Sequence, residues 1–216
     1  MTSRKPKYRF LLKDLEVRRW YENTARGAEV TADVYLRRVG FFCAKHGLTP
    51  RGLVGLGEEK VTQLLLDTVS DLERRQHAGS YIESIVKAGR SWLKHNRIQL
   101  TVKITITDAD DSPTLNDERT PTIDELGRFF RACQLDARVA SALVTFSAVR
   151  PEVLGNYRGT DGLQIGDLLE IEIDNNTKKV EFKKTPTLIS VRKTISKAGH
   201  RYYTFHPEEG CRYLKE

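Results

Sequence analysis

The chain has 216 residues, 30% of them charged and 39% hydrophobic, with a net charge of +7 and a pI near 9.3. This composition excludes a disordered chain, and its length allows one large core or two small ones. No apolar run approaches the roughly 18 residues that span a bilayer, so no membrane partner is expected.

The first half reads as helices. An amphipathic segment over 13–26 carries Leu15, Trp20 and Tyr21 and ends near Gly27. A second helix, opening at Glu29 or Thr31, runs to about Lys45, where Gly47 and Pro50 stop it; Val34, Tyr35, Val39, Phe41 and Phe42 give it a broad apolar face. A third, over 58–75, lines up Val61, Leu64, Leu65, Val69 and Leu72. Residues 77–80 read as a turn, with Ser80 as N-cap of a fourth helix. That helix sets Ile82, Ile85, Gly89, Trp92 and Leu93 against a cationic ridge of Lys87, Arg90, Lys94 and Arg97 at spacings of three and four. Arg38 and Lys45 form a weaker pair on the second helix. Charge is uneven: residues 1–100 carry 19 Lys and Arg against 11 Asp and Glu, and the rest 17 against 18. An excess confined to one half points to a polyanion, of which nucleic acid is the commonest. The plainer reading of such a ridge is a solvated face; its single sign, with no pairing partner evident in the helix, argues for an external one.

Residues 101–107 alternate as an extended segment would, and 108–113 look like a linker. The expected organisation is therefore a helical DNA-binding domain over 1–100, a linker over 101–118 and a second domain over 119–216. The second opens on a capping box, Thr122 with Glu125, followed by Leu126, Phe129 and Phe130. An unusually apolar helix over 136–149 delivers Arg150. A glycine-rich loop follows, then strands over 168–173, 179–183, 188–192 and 201–205, with turns at 174–176 and 196–200; a last helix begins at 208. The fold class is mainly α: a helical bundle followed by an α+β domain with a small antiparallel sheet. Cys43, Cys133 and Cys211 are far apart and lack metal-ligand spacing, and no apolar signal-peptide core follows the basic residues 1–7. A cytoplasmic protein with no metal or cofactor is expected.

Burying an unpaired charge is strongly unfavourable, so an arginine at the end of an apolar helix usually has an anionic client. On its own, Arg150 is about equally readable as an ion-pair residue beside Glu152, and Lys197 as an ordinary turn lysine. Their order and setting are more telling. The series Arg119-Thr120-Pro121-Thr122, Phe146-Ser147-Ala148-Val149-Arg150-Pro151-Glu152-Val153, then strands and Ser196-Lys197-Ala198-Gly199-His200-Arg201 resembles tyrosine recombinases, the phage-type integrases, especially those of archaea and their mobile elements. Most of the chain takes part. The resemblance implies a core-binding domain of SAM-like type, then the first part of a catalytic domain, with Arg150 as the first catalytic arginine and Lys197 as the lysine of a β-hairpin turn. Lys193 competes for the latter role. Where the family often has a glutamate three residues after the arginine, Val153 stands here, with Glu152 one residue earlier.

In such enzymes a tyrosine attacks the DNA backbone, forming a 3′-phosphotyrosine that a partner strand displaces without ATP or metal, and four protomers act on two duplexes. The resemblance places the second arginine, its histidine companion and the nucleophile downstream of Glu216. Tyr202, Tyr203 and Tyr213 come too early in the element order, so this chain alone is expected to bind double-stranded DNA without cutting it. Arg201 joins Arg38, Lys45, Lys87, Arg90, Lys94 and Arg97 as expected DNA contacts. The competing readings are a non-catalytic DNA-binding regulator or accessory factor, and a helical module whose basic ridge meets an acidic protein.

Overall fold

A computed structural model describes residues 7–110, 119–177 and 179–215. The chain is mainly helical with two short antiparallel strand pairs. It divides into two compact units, Met1–Glu118 and Arg119–Glu216.

In the first unit a 3-10 turn, Arg9–Lys13, leads into α1 (Leu15–Gly27), α2 (Glu29–Lys45), α3 (Pro50–Gly55), α4 (Gly57–Arg74) and α5 (Gly79–His95). Asp14 caps α1 by accepting from the amides of Glu16 and Val17. Pro50 does more than stop the second helix: it takes the first position of α3, where its missing N–H costs nothing, and Thr49 caps it. The start of α5 also differs from expectation. Its N-cap is Ala78 rather than Ser80. Gly79 runs so close to the backbone of Asp108 that a Cβ there would lie 1.9 Å from the carbonyl oxygen, so glycine is required.

Trp92 organises this core. It is fully buried, meets Trp20 edge to face at 5.4 Å and donates its indole N–H to the Pro50 carbonyl at 3.0 Å. Around it pack Val17, Leu36, Phe42, Leu53, Leu65, Ile82, Ile85 and Leu93.

The alternating segment after α5 forms no strand. Ile104 is buried in the first unit's core, with Leu100 and Ile106 packed beside it. Thr101 donates from its amide and hydroxyl to Glu58, and the Thr107 amide donates to Glu73. Residues 101–107 thus read as alternating because they are pinned extended across a helical surface, and they are not a free linker. The rest of the expected linker, 111–118, lies outside the described residues.

The second unit runs α6 (Ile123–Ala132), α7 (Leu135–Ser147), α8 (Pro151–Leu154), β1 (Ile171–Ile173), β2 (Val180–Phe182), β3 (Thr187–Val191), β4 (Tyr202–His206) and α9 (Glu208–Leu214). The Thr122–Glu125 capping box forms in both directions. Instead of one small sheet there are two hairpins, β1 with β2 and β3 with β4, joined by a bridge between Leu168 and Ile189. Leu143, Val149, Val153, Leu168, Ile189, Val191 and Ile195 make the core. The apolar helix ends at Ser147, two residues before its expected end, because Ala148 turns into the left-handed region at φ 52° and ψ 27°. Arg150 then sits as N-cap of the short α8, ahead of Pro151.

Candidate nucleic-acid interface

A cleft of 250 Å³ opens in the second unit between the α7–α8 junction and the β3–β4 connection. Ala148, Arg150, Glu152 and Val153 line one side; Ile195, Ser196, Lys197, Ala198 and Tyr202 line the other. Residues 47 positions apart in sequence, Arg150 and Lys197, are therefore brought to one site.

Each is delivered by a definite piece of backbone. Val149 and Val153 are buried on either side of Arg150, so α8 packs inward while the arginine stays exposed. The left-handed turn at Ala148 makes the chain swing out at that point. A non-glycine residue there costs on the order of 1 kcal/mol, the kind of strain that tends to gather at functional sites. Opposite, a 3-10 turn at Lys193–Ile195 buries Ile195, and a tight turn closes with the Gly199 amide donating to the Ser196 carbonyl at 3.0 Å. Gly199 takes φ 71° there, and Lys197 stands exposed at the tip.

Among the described residues no carboxylate lies within ion-pairing distance of Arg150 or Lys197, and neither side chain makes a hydrogen bond. Glu152 lines the cleft yet does not pair with Arg150. An arginine fork and an ammonium with all their donors free suit the nonbridging oxygens of a phosphate.

Arg192 is the opposite case, and the sequence reading missed its role. It starts the connection that carries Lys197, and it is saturated. Nε reaches Asp167 at 3.0 Å, Nη2 reaches Asp161 at 2.9 Å and the Gly162 carbonyl at 2.6 Å, while Thr194 donates to Asp161 at 2.9 Å. Hydrogen bonds from Arg192 and Thr194 hold the Asp161 carboxyl below the usual carboxylate range. This clamp ties the glycine-rich loop to the end of β3 and fixes the base of the Lys197 turn. Asp-Gly and Asp-Leu in that loop were the available signal, but nothing in the sequence pairs them with an arginine 25 and 31 residues on.

The remaining predicted contacts divide sharply. Arg38 is half-buried: its Nε donates to Ser84 at 2.7 Å and its guanidinium lies 4.1 Å from the centre of the Tyr81 ring. Lys45 is engaged by Asp71, and Lys87 is paired with Glu83 at 2.6 Å. The expectation that nothing in the helix pairs the ridge is thus corrected; Glu83, one turn earlier, does. Arg90 donates to the Val102 carbonyl at 3.2 Å. Arg97 is not on the helix at all: α5 ends at His95, and Arg97 takes φ 62° in a Schellman turn in which the Ile98 amide donates to the Leu93 carbonyl. Lys94, Arg97 and Arg201 are exposed and free of partners among the described residues.

Tyr213 stacks with Phe146 and packs on Phe130, and Tyr202 packs on the second core while also facing the cleft. Lys193 is exposed but does not line the cleft. Among the described residues no cluster of His, Cys, Asp and Glu could hold a metal, and no helix is long and apolar enough to cross a membrane. Compared with known proteins, the chain matches no family model, no curated protein and no solved structure.

Proposed function

We propose that this chain binds duplex DNA as part of a site-specific recombinase of the tyrosine class, with the Arg150–Lys197 cleft receiving a phosphodiester. The observation that carries the reading is the convergence on one cleft of two cations with no partner among the described residues. Two cations distant in sequence at the same concave spot suit a polyanion, and among the described residues Arg150 has no carboxylate for an ion-pair role.

Arg150 would grip two nonbridging oxygens, and Lys197 would stand near the leaving oxygen as a proton donor. The nucleophile and second arginine are not assigned to any residue of this chain. The first unit would add sequence-independent hold on the backbone through Lys94 and Arg97, with Lys87 and Arg90 exchanging their present partners for phosphate. Tetrameric assembly, cytoplasmic location and the SAM-like type of the first unit belong to the same proposal.

The test is binding of the full chain to a labelled mixed-sequence duplex across a salt series. Affinity should fall linearly on logarithmic axes, with a slope of about −0.9 per phosphate neutralised. A chain indifferent to duplex DNA at low salt would end the reading. Within a longer protein that cleaves DNA, Arg150→Ala should abolish the covalent adduct and spare most of the binding, which separates an enzyme from a regulator. Charge reversal at Lys87 and Arg90 that leaves DNA affinity untouched would instead favour an acidic protein as the partner of the ridge.

A further inference from the structure

A buried polar cluster sits at the C-terminal end of α7, three residues before Arg150. Ser147 Oγ and His206 Nδ1 are 2.6 Å apart, with Ser147 3% exposed and His206 fully buried. The Ser147 carbonyl accepts from Thr204 Oγ1 at 2.8 Å. The other edge of the imidazole rests on Gly210, where a Cβ would come within 2.4 Å of Nε2, and Nε2 makes no well-formed hydrogen bond. The Cys211 thiol donates weakly to the His206 carbonyl at 3.7 Å. One ring thus ties together α7, β4 and α9.

Two apolar side chains would fill this space without the desolvation that a buried hydroxyl and imidazole incur. What the pair supplies is a hydrogen bond that holds the last residue of α7 against the end of β4. Between Ser147 and Arg150 stand only Ala148, in a left-handed conformation, and Val149, 3% exposed. Fixing the backbone of Ser147 therefore fixes that of Arg150. We propose that Ser147 and His206 form a positioning clasp that sets where Arg150 stands at the mouth of the cleft. The proposal rests on the reading of that cleft as a phosphate site.

The surroundings of the ring make the clasp sensitive to acid. From α7 it faces Ser147 and the Phe146 ring, from β3 Thr187 across the ladder, and from α9 Gly210 and Cys211. Cys211 is the titratable member of this group, and burial raises its pKa and keeps it neutral. Glu208, Glu209 and Arg212 lie on the exposed side of α9, Arg212 paired with Glu208. Tyr213 faces Phe146 rather than the imidazole. Among the described residues no charge compensates a proton on His206, and burial lowers its pKa below the ordinary 6.5, a weak backbone contact at Gly210 opposing.

The test is nuclear magnetic resonance of the labelled full chain. In the wild type the amide signals of Ala148, Val149 and Arg150 should move together with His206 protonation, inflecting below pH 6.5. His206→Asn keeps an amide where Nδ1 stands but cannot titrate. Its signals should stay near their alkaline wild-type positions with no inflection. Ser147→Ala should displace the Arg150 amide at every pH in a protein that remains folded. Arg150 signals that ignore both His206 titration and Ser147→Ala would overturn the clasp. The salt slope of duplex binding by Arg150→Ala reports separately on the cleft: a slope equal to the wild type's beside pH-coupled amides would leave the clasp standing and remove the phosphate site.

Discussion

The two units treat their cations differently. In the first, most predicted DNA contacts already have protein partners: Arg38 with Ser84 and Tyr81, Lys45 with Asp71, Lys87 with Glu83, Arg90 with a backbone carbonyl. In the second, Arg150 and Lys197 face one cleft and have none among the described residues. A cation with a partner contributes to fold or orientation; a cation without one is held ready for something else. Positive charge counted along a sequence does not distinguish these, and the difference is visible only once carboxylates one turn away or 26 residues away are placed.

The sharpest way to break this comparison is within the second unit. Arg150→Ala should leave thermal stability within about 0.5 kcal/mol of the wild type, since it deletes an exposed group with no ion pair among the described residues. In a cleavage-competent protein the same change should lower the rate by about 100-fold or more. Arg192→Ala should do the reverse, lowering the melting temperature clearly because Asp161 and Asp167 lose their partner together. Calorimetry on both variants checks the pair; equal destabilisation would erase the distinction between a clamp and a free ligand.

In the first unit the effects should be smaller. Lys94→Gln should reduce the salt slope of duplex binding by about 1, whereas Lys87→Gln should reduce it less, because Lys87 must first leave Glu83. Glu83→Gln should accordingly tighten DNA binding. A direct titration of the three variants decides this, and equal slopes for Lys87→Gln and Lys94→Gln would show that the ion pair does not hold Lys87 back.

Smaller still is the backbone. Ala148→Gly should relieve the left-handed strain and stabilise the protein by up to about 1 kcal/mol, seen as a shift in denaturant midpoint. Loss of stability there would mean that the Ala148 methyl packs more than it strains. At low pH, Glu125 gives a separate marker. Arg119 and the Thr122 cap hold it down to about 2 from the ordinary 4.5. A depressed carboxyl stabilises the folded form above its unfolded value, so this contribution should be complete above pH 4.5 and fade as pH falls towards 2. His206, also depressed but a base, should cost stability as pH drops below 6.5. Acid melting curves of Glu125→Gln and His206→Asn separate the two windows.

Much of the element order was legible because apolar spacing and caps are local. The Thr122–Glu125 box needs only four residues to declare itself, and α5 announces its buried face through Ile82, Ile85, Trp92 and Leu93. What the sequence hid was non-local or conformational. Residues 101–107 carry a strand's alternation, yet their hydrogen bonds go to Glu58 and Glu73. Arg97 fits the helical spacing, but the Schellman turn takes it off the ridge. Pro50 reads as a terminator until Thr49 and the indole of Trp92 show it opening α3. In the site, Arg150 and Lys197 could be named from order and setting, while the Arg192 clamp and the Ser147–His206 pair depend on separations of 25 to 59 residues that carry no local signature.

A phosphodiester in the cleft would have to meet Arg150 and Lys197 together. The decisive experiment is the salt dependence of duplex binding by the Arg150→Ala, Lys197→Ala double variant, its melting curve confirming that it is folded. Binding should weaken, with a slope shallower by roughly 2 than the wild type. A double variant that binds the duplex with wild-type affinity and slope would contradict that role for the two cations.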